Sequence, residues 1–421
     1  MFKKCVKLLT ACAAIVLGTA CTEKLDAGRS CPLLCPQQAI VLNDTTIDAV
    51  VTDTTILGLP PIGDEKFLML ASHGDTLETR AIVRFDTLPR TYFKGNTDSV
   101  IVSVDTATLV VPIAKPDSAH RPSGPVTIEV YNVDTTATDT VSAVLGALFR
   151  PNRFLGSKTF APDSLRDTLR IPISRDTVLD RVKKGTHLRV GFRLVSAQGF
   201  DIRIGTTQGG NPVTLRIKAS KDTAAKPVIV SPVSRTPADQ PFLAGPLADY
   251  TIVLKGLSSN PPTLLAVGGV PSRRAYLRFD VPSHILDSTT IVRAALLLTQ
   301  VPNRRLNQRD SVYVYPVAVL AAPVVTDIAS ALQFLGAPGQ FGLDSVRLAP
   351  ADSGLRAFEI VGLVRTWRNQ TRTASPRSIA LRSAAEGQLP AEFDFFSTKG
   401  PQGVRPRLRI TYVPQTSYGL P

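Results

Sequence analysis

The chain has 421 residues, a formal charge of +14, only 6% aromatic residues and five cysteines, all at or before Cys35. That length accommodates two domains of ordinary size, and the cysteine-free stretch from Pro36 onward excludes a disulfide scaffold. The excess of positive charge favours anionic partners such as acidic polysaccharide, lipopolysaccharide or phospholipid headgroups. Its basic residues are scattered through alternating segments instead of forming a run with interleaved aromatics, which argues against nucleic acid.

The chain begins with Lys3, Lys4 and Lys7, continues through an apolar stretch from Leu8 to Ala20, and places Gly18-Thr19-Ala20 directly before Cys21. That is the layout of a secretory signal. The apolar stretch is shorter than the roughly 20 residues a spanning helix needs, and no later stretch supplies one, so a lipid anchor is expected. The residues before Cys21 resemble the lipobox of bacterial lipoproteins, with Leu17 four positions before the cysteine where that family has it three before. The resemblance implies that Cys21 is acylated and becomes the new N-terminus, with residues 1–20 removed and the protein exported and held to a membrane. Each buried methylene of the anchor contributes about 0.8 kcal/mol. Loss of Lys3, Lys4 and Lys7 lowers the side-chain charge from +14 to +11. Thr22 and Glu23 lack the Asp that favours inner-membrane retention in some lipoproteins of this kind, so the outer membrane is the expected location. Residues 21–40 read as a tether. Within it, three residues separate Cys31 from Cys35, not the two of a redox site, and a small loop-closing disulfide is expected.

From residue 41 onward apolar and polar residues mostly alternate, as in Thr127-Ile128-Glu129-Val130-Tyr131 and Arg407-Leu408-Arg409-Ile410-Thr411. Period two means strands with one buried face, and recurrent Asp-Thr and Asp-Ser pairs punctuate them as turn formers before β formers. The chain also repeats. Arg80-Ala81-Ile82-Val83-Arg84-Phe85-Asp86 returns as Arg274-Ala275-Tyr276-Leu277-Arg278-Phe279-Asp280. In the same order, 107–111 matches 294–298, 126–133 matches 312–319, 200–204 matches 393–396 and 213–217 matches 406–410. A helix-like run follows the 126–133 strand (Val141 to Phe149) and its 312–319 counterpart (Ile328 to Leu335). Each copy, roughly 180 residues, can bury its own core. The expected architecture is all-β, two tandem jelly-roll-like antiparallel β-sandwich domains at 41–218 and 238–414, with a linker at 219–237 and a tail at 415–421.

The second copy resembles the DNRLRE-type domain of bacterial and archaeal surface proteins, which is related to carbohydrate-binding modules of β-sandwich fold. The resemblance rests on 274–280, on 294–298, on Val361-Gly362-Leu363-Val364-Arg365-Thr366-Trp367, and on Phe395-Phe396-Ser397 leading to Arg405-Pro406-Arg407-Leu408. It covers about 240–414. The first copy lacks the Trp, having Val178 and Leu179 near that place. If the resemblance implies sugar binding, the second domain is the expected binder.

No catalytic, metal or cofactor site is legible. His73, His120, His187 and His284 are widely spaced and lack metal-type spacing, and neither a G-x-S-x-G elbow nor a phosphate-cradling glycine loop is present. Of the acids recurring in both copies, Asp86 and Asp280 are expected to cap turns or pair with an Arg, and Asp201 and Asp394 to be solvated. Trp367 follows an apolar run and is expected in the core. Tyr276, Tyr313 and Tyr315 lie on alternating strands and could stack on sugar rings, with Arg273, Arg274, Arg304 and Arg305 as anion contacts nearby. The alternative for these residues is a solvated sheet face. The functional expectation is a non-catalytic envelope lipoprotein that binds acidic polysaccharide or acts in adhesion. The rival is a structural subunit that binds envelope proteins, and a glycoside-active enzyme would require acids converging in a cleft.

Overall fold

In the computed structural model the described residues are 42–222, 224–234, 247–321, 325–367 and 377–414. The signal, Cys21, the tether with Cys31 and Cys35, and the tail lie outside them.

Among these residues the named strands pair antiparallel throughout. In chain order the first strands are β1 (Asn43–Ile47), β2 (Val50–Leu59), β3 (Phe67–His73), β4 (Leu77–Phe85), the hairpin β5 (Thr91–Lys94) and β6 (Thr97–Val100), β7 (Thr106–Pro112) and β8 (Val126–Asn132). Helix α1 (Ser142–Gly146), β9 (Phe154–Phe160), β10 (Thr168–Pro172), helix α2 (Arg175–Lys184), β11 (Leu188–Ser196), β12 (Phe200–Gly205), β13 (Thr214–Lys218), β14 (Val228–Val230) and β15 (Asp249–Lys255) follow. The remainder is β16 (Leu264–Gly268), β17 (Ser272–Phe279), α3 (Ser283–Leu286), β18 (Thr289–Val301), β19 (Val312–Ala318), α4 (Ile328–Ala331), β20 (Val346–Leu348), β21 (Gly354–Glu359), α5 (Val361–Thr366), β22 (Ser378–Ser383), β23 (Glu392–Phe396) and β24 (Arg407–Pro414).

These elements build two β-sandwich lobes. In lobe 1 the sheet β10-β7-β13-β14 faces the sheet β12-β3-β4-β11-β8-β9 across one apolar core, from Leu68 and Phe85 to Leu215 and Ile217. Alternation produces this directly: in β10, Leu169 and Ile171 are buried while Thr168, Arg170 and Pro172 face water. Helix α2 closes one end, capped by the Ser174 hydroxyl, which accepts from Thr177 N, and ended by Gly185 at φ +63°; it buries Val178 and Val182. Lobe 2 repeats the plan, with α5 in the place of α2 and Trp367 just after it. Trp367 is buried as expected, its ring 5.4 Å from Phe279. The two helix-like runs are the short helices α1 and α4.

The register repeats as well as the order. Leu109 opposes Leu215 and Leu296 opposes Leu408, while Val83 opposes Val190 and Leu277 opposes Ile379.

The expected domain limits are corrected at their ends. β1 pairs with β24 and β2 with β17, so the first two strands of the chain complete lobe 2. β14 pairs with β13 and β15 with β4, so the stretch expected to be linker, and the strand after it, complete lobe 1. Lobe 1 is therefore continuous from β3 to β15 and sits as an insertion between β2 and β16 of lobe 2. Thr223 and residues 235–237 of the expected linker lie outside the described residues.

The two closing strands dock by the same device. In β2, Asp53 opposes Leu277 and accepts hydrogen bonds from Thr398 N (2.6 Å) and Oγ1 (2.8 Å), while Thr55 Oγ1 accepts from Ala266 N. In β15, Asp249 opposes Val83 and accepts from Thr207 N (2.9 Å) and Oγ1 (3.2 Å), while Thr251 Oγ1 accepts from Met69 N. An Asp-x-Thr triplet thus fixes each closing strand. Between the lobes, Val270 and Leu306 pack against Met69, Ala71 and Leu77.

Candidate functional site

A cleft of about 440 Å³ opens at the seam between the lobes. Lobe 1 contributes the β7–β8 loop with Lys115, Asp117 and His120, and β12 with Asp201 and Arg203. Lobe 2 contributes Arg309 and Asp310 before β19, and Arg347 on β20.

Each acid in this cleft is taken by a histidine. Asp117 Oδ1 accepts from the backbone N of Ala119 and His120, turning the loop back, and from His120 Nδ1 at 2.7 Å. His120 Nε2 reaches across the seam to Asp310 Oδ1 at 2.5 Å, and Asn307 Nδ2 donates to Asp310 Oδ2. Asp201 pairs with His73 Nε2 at 3.0 Å. Both ring nitrogens of His120 therefore face carboxylate oxygens, which suits the imidazolium, since only that form donates from both. Desolvation opposes its protonation, but the hydrogen bonds and charges of Asp117 and Asp310 outweigh it and hold its pKa above the usual imidazole value. The same contact with His120 holds Asp117 below the usual carboxylate range.

Four cations remain. Lys115, Arg203, Arg309 and Arg347 have no carboxylate partner among the described residues, and Arg203 instead lies 5.5 Å over the ring of Phe67. Arg347 is the cross-strand partner of Tyr313, which is 51% exposed, so both side chains stand on the same sheet face. Tyr315, two residues on, shares that face and lies under the Arg382 guanidinium at 5.6 Å. The arrangement offers unpaired cations and an exposed ring to a negatively charged ligand.

Of the expected ligand contacts, Tyr313 and Tyr315 lie on this accessible face, but Arg273, Arg274 and Tyr276 do not. Arg274 is bidentate to Glu386, both bonds 2.7 Å, and its Nη1 donates to Leu332 O at the end of α4. Its counterpart Arg80 likewise donates to Gly146 O at the end of α1. The arginine that opens the repeated motif is thus a helix-terminating strut. Tyr276 is 2% exposed under α4 and hydrogen-bonds Ser378. Arg273 is buried against Glu392 and donates to Leu257 O. Arg304 and Arg305 are exposed, Arg305 donating to Ser258 O.

The recurrent acids divide. Asp86 pairs with Arg189 through both oxygens, at 3.1 and 3.2 Å, while Asp280 is exposed and its backbone N donates to Ala49 O. Asp201 is part-exposed on the cleft wall, but Asp394 is not solvated. Asp394 is 6% exposed beside Glu392 on β23, where Asn260 and Asn303 donate to both carboxylates. Burial pushes Asp394 up against the opposing pull of Arg305, the two Asn side chains and Arg273. These two acids converge, but buried Arg273 and exposed Arg305 beside them balance their charge. Among the described residues no group of three His, Cys, Asp or Glu is placed to hold a metal.

Lys115, Arg203, Arg309 and Arg347 escaped sequence reasoning because they come from four separate segments, and His120 stood out only as one of four scattered histidines. The three-residue spacing of Asp117 and His120 was the one local signal.

No family model and no curated protein matches this chain. Among solved structures it is similar to a Parabacteroides distasonis protein inferred to be secreted, with 9% identity, 87% of this chain and 99% of that one covered, and a TM-score of 0.24. It is also similar to the VP2 subviral particle of infectious bursal disease virus (9% identity, 89% and 76% covered, TM-score 0.13). A third likeness is to the CBM22-1–CBM22-2 tandem of Paenibacillus barcinonensis Xyn10C (9% identity, 87% and 99% covered, TM-score 0.11). Such scores carry no functional argument.

Proposed function

We propose that this is an exported lipoprotein, anchored through Cys21 to the outer membrane, that binds acidic polysaccharide in the seam cleft without catalysis. The observation that carries the reading is the set Lys115, Arg203, Arg309 and Arg347, four cations facing one cleft with every nearby acid already paired. Such a set attracts anions over a Debye length and specifies them at contact. Tyr313 beside Arg347 supplies a stacking ring. The charged N-terminal segment, apolar run and small residues before Cys21 support export and anchoring.

The test is binding of residues 22–421 to neutral and acidic polysaccharides at low and physiological salt. Saturable binding of the acidic set at physiological salt is expected. Replacing Lys115, Arg203, Arg309 and Arg347 together by Ala should weaken it about thirtyfold, on the order of 2 kcal/mol for four partly solvated charge contacts. Tyr313→Ala should weaken it several-fold. Binding that vanishes with salt, or that survives the fourfold variant, would remove the cleft from the reading.

His120 adds a pH dependence. Its raised pKa means that the charged ring is present at mildly acidic pH and is lost as pH rises through a value above the usual 6.5. Binding is expected to be tighter at pH 6 than at pH 8.5, and His120→Gln should flatten that profile. An unchanged profile in the variant would assign the dependence elsewhere.

A further inference from the structure

A second cavity, of about 470 Å³, lies where the two inter-lobe crossings pass each other, β2 leaving lobe 2 at Leu59 and β15 leaving lobe 1 at Lys255. Its walls are mainly apolar, with Leu57, Leu59, Ile62, Val253, Leu257 and Val270 among them, and Leu57 stands 54% exposed at its rim. Glu65 also lines it.

Three glutamates are deeply buried among the described residues: Glu65, Glu386 and Glu392. Glu386 is met by Arg274 and Arg382, and Glu392 by Arg273 and Arg305. Glu65 has no cation among the described residues. Its Oε2 accepts from Gly63 N at 2.6 Å and its Oε1 from Thr251 N at 3.3 Å. Asp249, 1% exposed and held by Thr207, adds a second carboxyl nearby that has no cation among the described residues. A buried carboxylate is costly unless a cation meets it, and among the described residues Glu65 is the one buried glutamate without a cation and lines this cavity.

We propose that this cavity binds a small organic cation with an apolar body, its ammonium paired with Glu65 and its hydrocarbon part packed against Leu57, Leu59 and Leu257. The site has the opposite electrostatic sign to the seam cleft and stands independently of it. Ionisation of Glu65, whose pKa burial pushes up to about 7, would make such binding stronger at pH 8 than at pH 5.5.

The probes are three eight-carbon molecules, octylammonium, octanol and octanoate, titrated into residues 22–421 at pH 8 and physiological salt and followed by NMR and thermal melting. Octylammonium is expected to bind one saturable site and raise the melting temperature, octanol to bind at least tenfold more weakly, and octanoate not to bind. In Glu65→Gln, with its fold confirmed by circular dichroism, the preference for octylammonium over octanol should disappear. Leu57→Trp, which crowds the rim, should weaken both. The proposal is overturned if octylammonium shows no saturable site, if Glu65→Gln keeps the tenfold preference, or if octanoate competes equally.

Discussion

A fragment spanning residues 62–256 is expected to unfold as a single cooperative unit, whereas fragments 41–218 and 238–414, cut where the internal repeat suggests, are expected not to fold. The first contains every strand of lobe 1, β3 to β15. The 41–218 fragment keeps β1 and β2, which have no partner in it, and lacks β14 and β15. It therefore uncovers the core around Val230 and the outer-face cluster in which Leu247, Tyr250 and Ile252 pack on Ile82 and Tyr131. Four such side chains, at about 2 kcal/mol each, amount to roughly 8 kcal/mol, comparable with the entire stability of an ordinary domain. The 238–414 fragment lacks β1 and β2, which cover β24 and β17. The complementary test joins the C-terminus of β24 to β1: Asn43 opposes Tyr412, so a short turn after Pro414 can lead into residues 43–59. A permutant running 256–414, turn, 43–59, which keeps Leu257 and Asn260 for the buried Arg273, Glu392 and Asp394, should fold alone. Lobe 1 already carries the same connection in its natural order, β13 to β14. Cooperative melting and dispersed amide spectra decide the matter; a folded 41–218 fragment would show that the closing strands are dispensable.

Much of the sandwich was legible because alternation and repetition are local properties. Arg80 to Asp86 and Arg274 to Asp280 share Arg, Ala, Arg, Phe and Asp at the same spacing, and both are central strands with the same register. The reciprocal placement of the closing strands was not legible, because β2 and β15 look alike in isolation: each carries an Asp-x-Thr triplet, and nothing local says which lobe it will join. That choice is made by the crossing segments 60–66 and 256–263, whose paths are a tertiary property. The site was missed for a related reason. Arg273 and Arg274 stand out in sequence as a dibasic pair, yet their partners, Glu392 and Glu386, lie more than a hundred residues away and draw both side chains inside. The cleft cations are single residues in separate loops and strands, and only the fold gathers them.

The closing strands also set how stability should vary with pH. Burial, together with the nearby Asp249 charge, raises Glu65 to about 7 from its usual 4.5 despite the Gly63 and Thr251 hydrogen bonds. Burial likewise raises Asp249 to about 6 from 3.8. Below the unfolded values both carboxyls are protonated in either state and impose no penalty. As pH rises, the unfolded chain releases these protons while the folded chain keeps them, so stability falls from about pH 4 to about pH 7 and then levels off. For Glu65 alone the span of about 2.5 pH units corresponds to roughly 3 kcal/mol. Glu65→Gln, which stays neutral, gives up the long contact from Thr251 N at about 1 kcal/mol. It should therefore exceed the wild type by about 2 kcal/mol in urea unfolding at pH 8 and fall slightly below it at pH 4. His120, with its raised pKa, adds a loss of the same sign as pH rises through that raised value, so the variant retains that part of the slope. If Glu65→Gln were less stable than the wild type at pH 8, the hydrogen bonds from Gly63 N and Thr251 N would outweigh the cost of burying the carboxylate, and the predicted fall in stability between about pH 4 and about pH 7 would be absent as well.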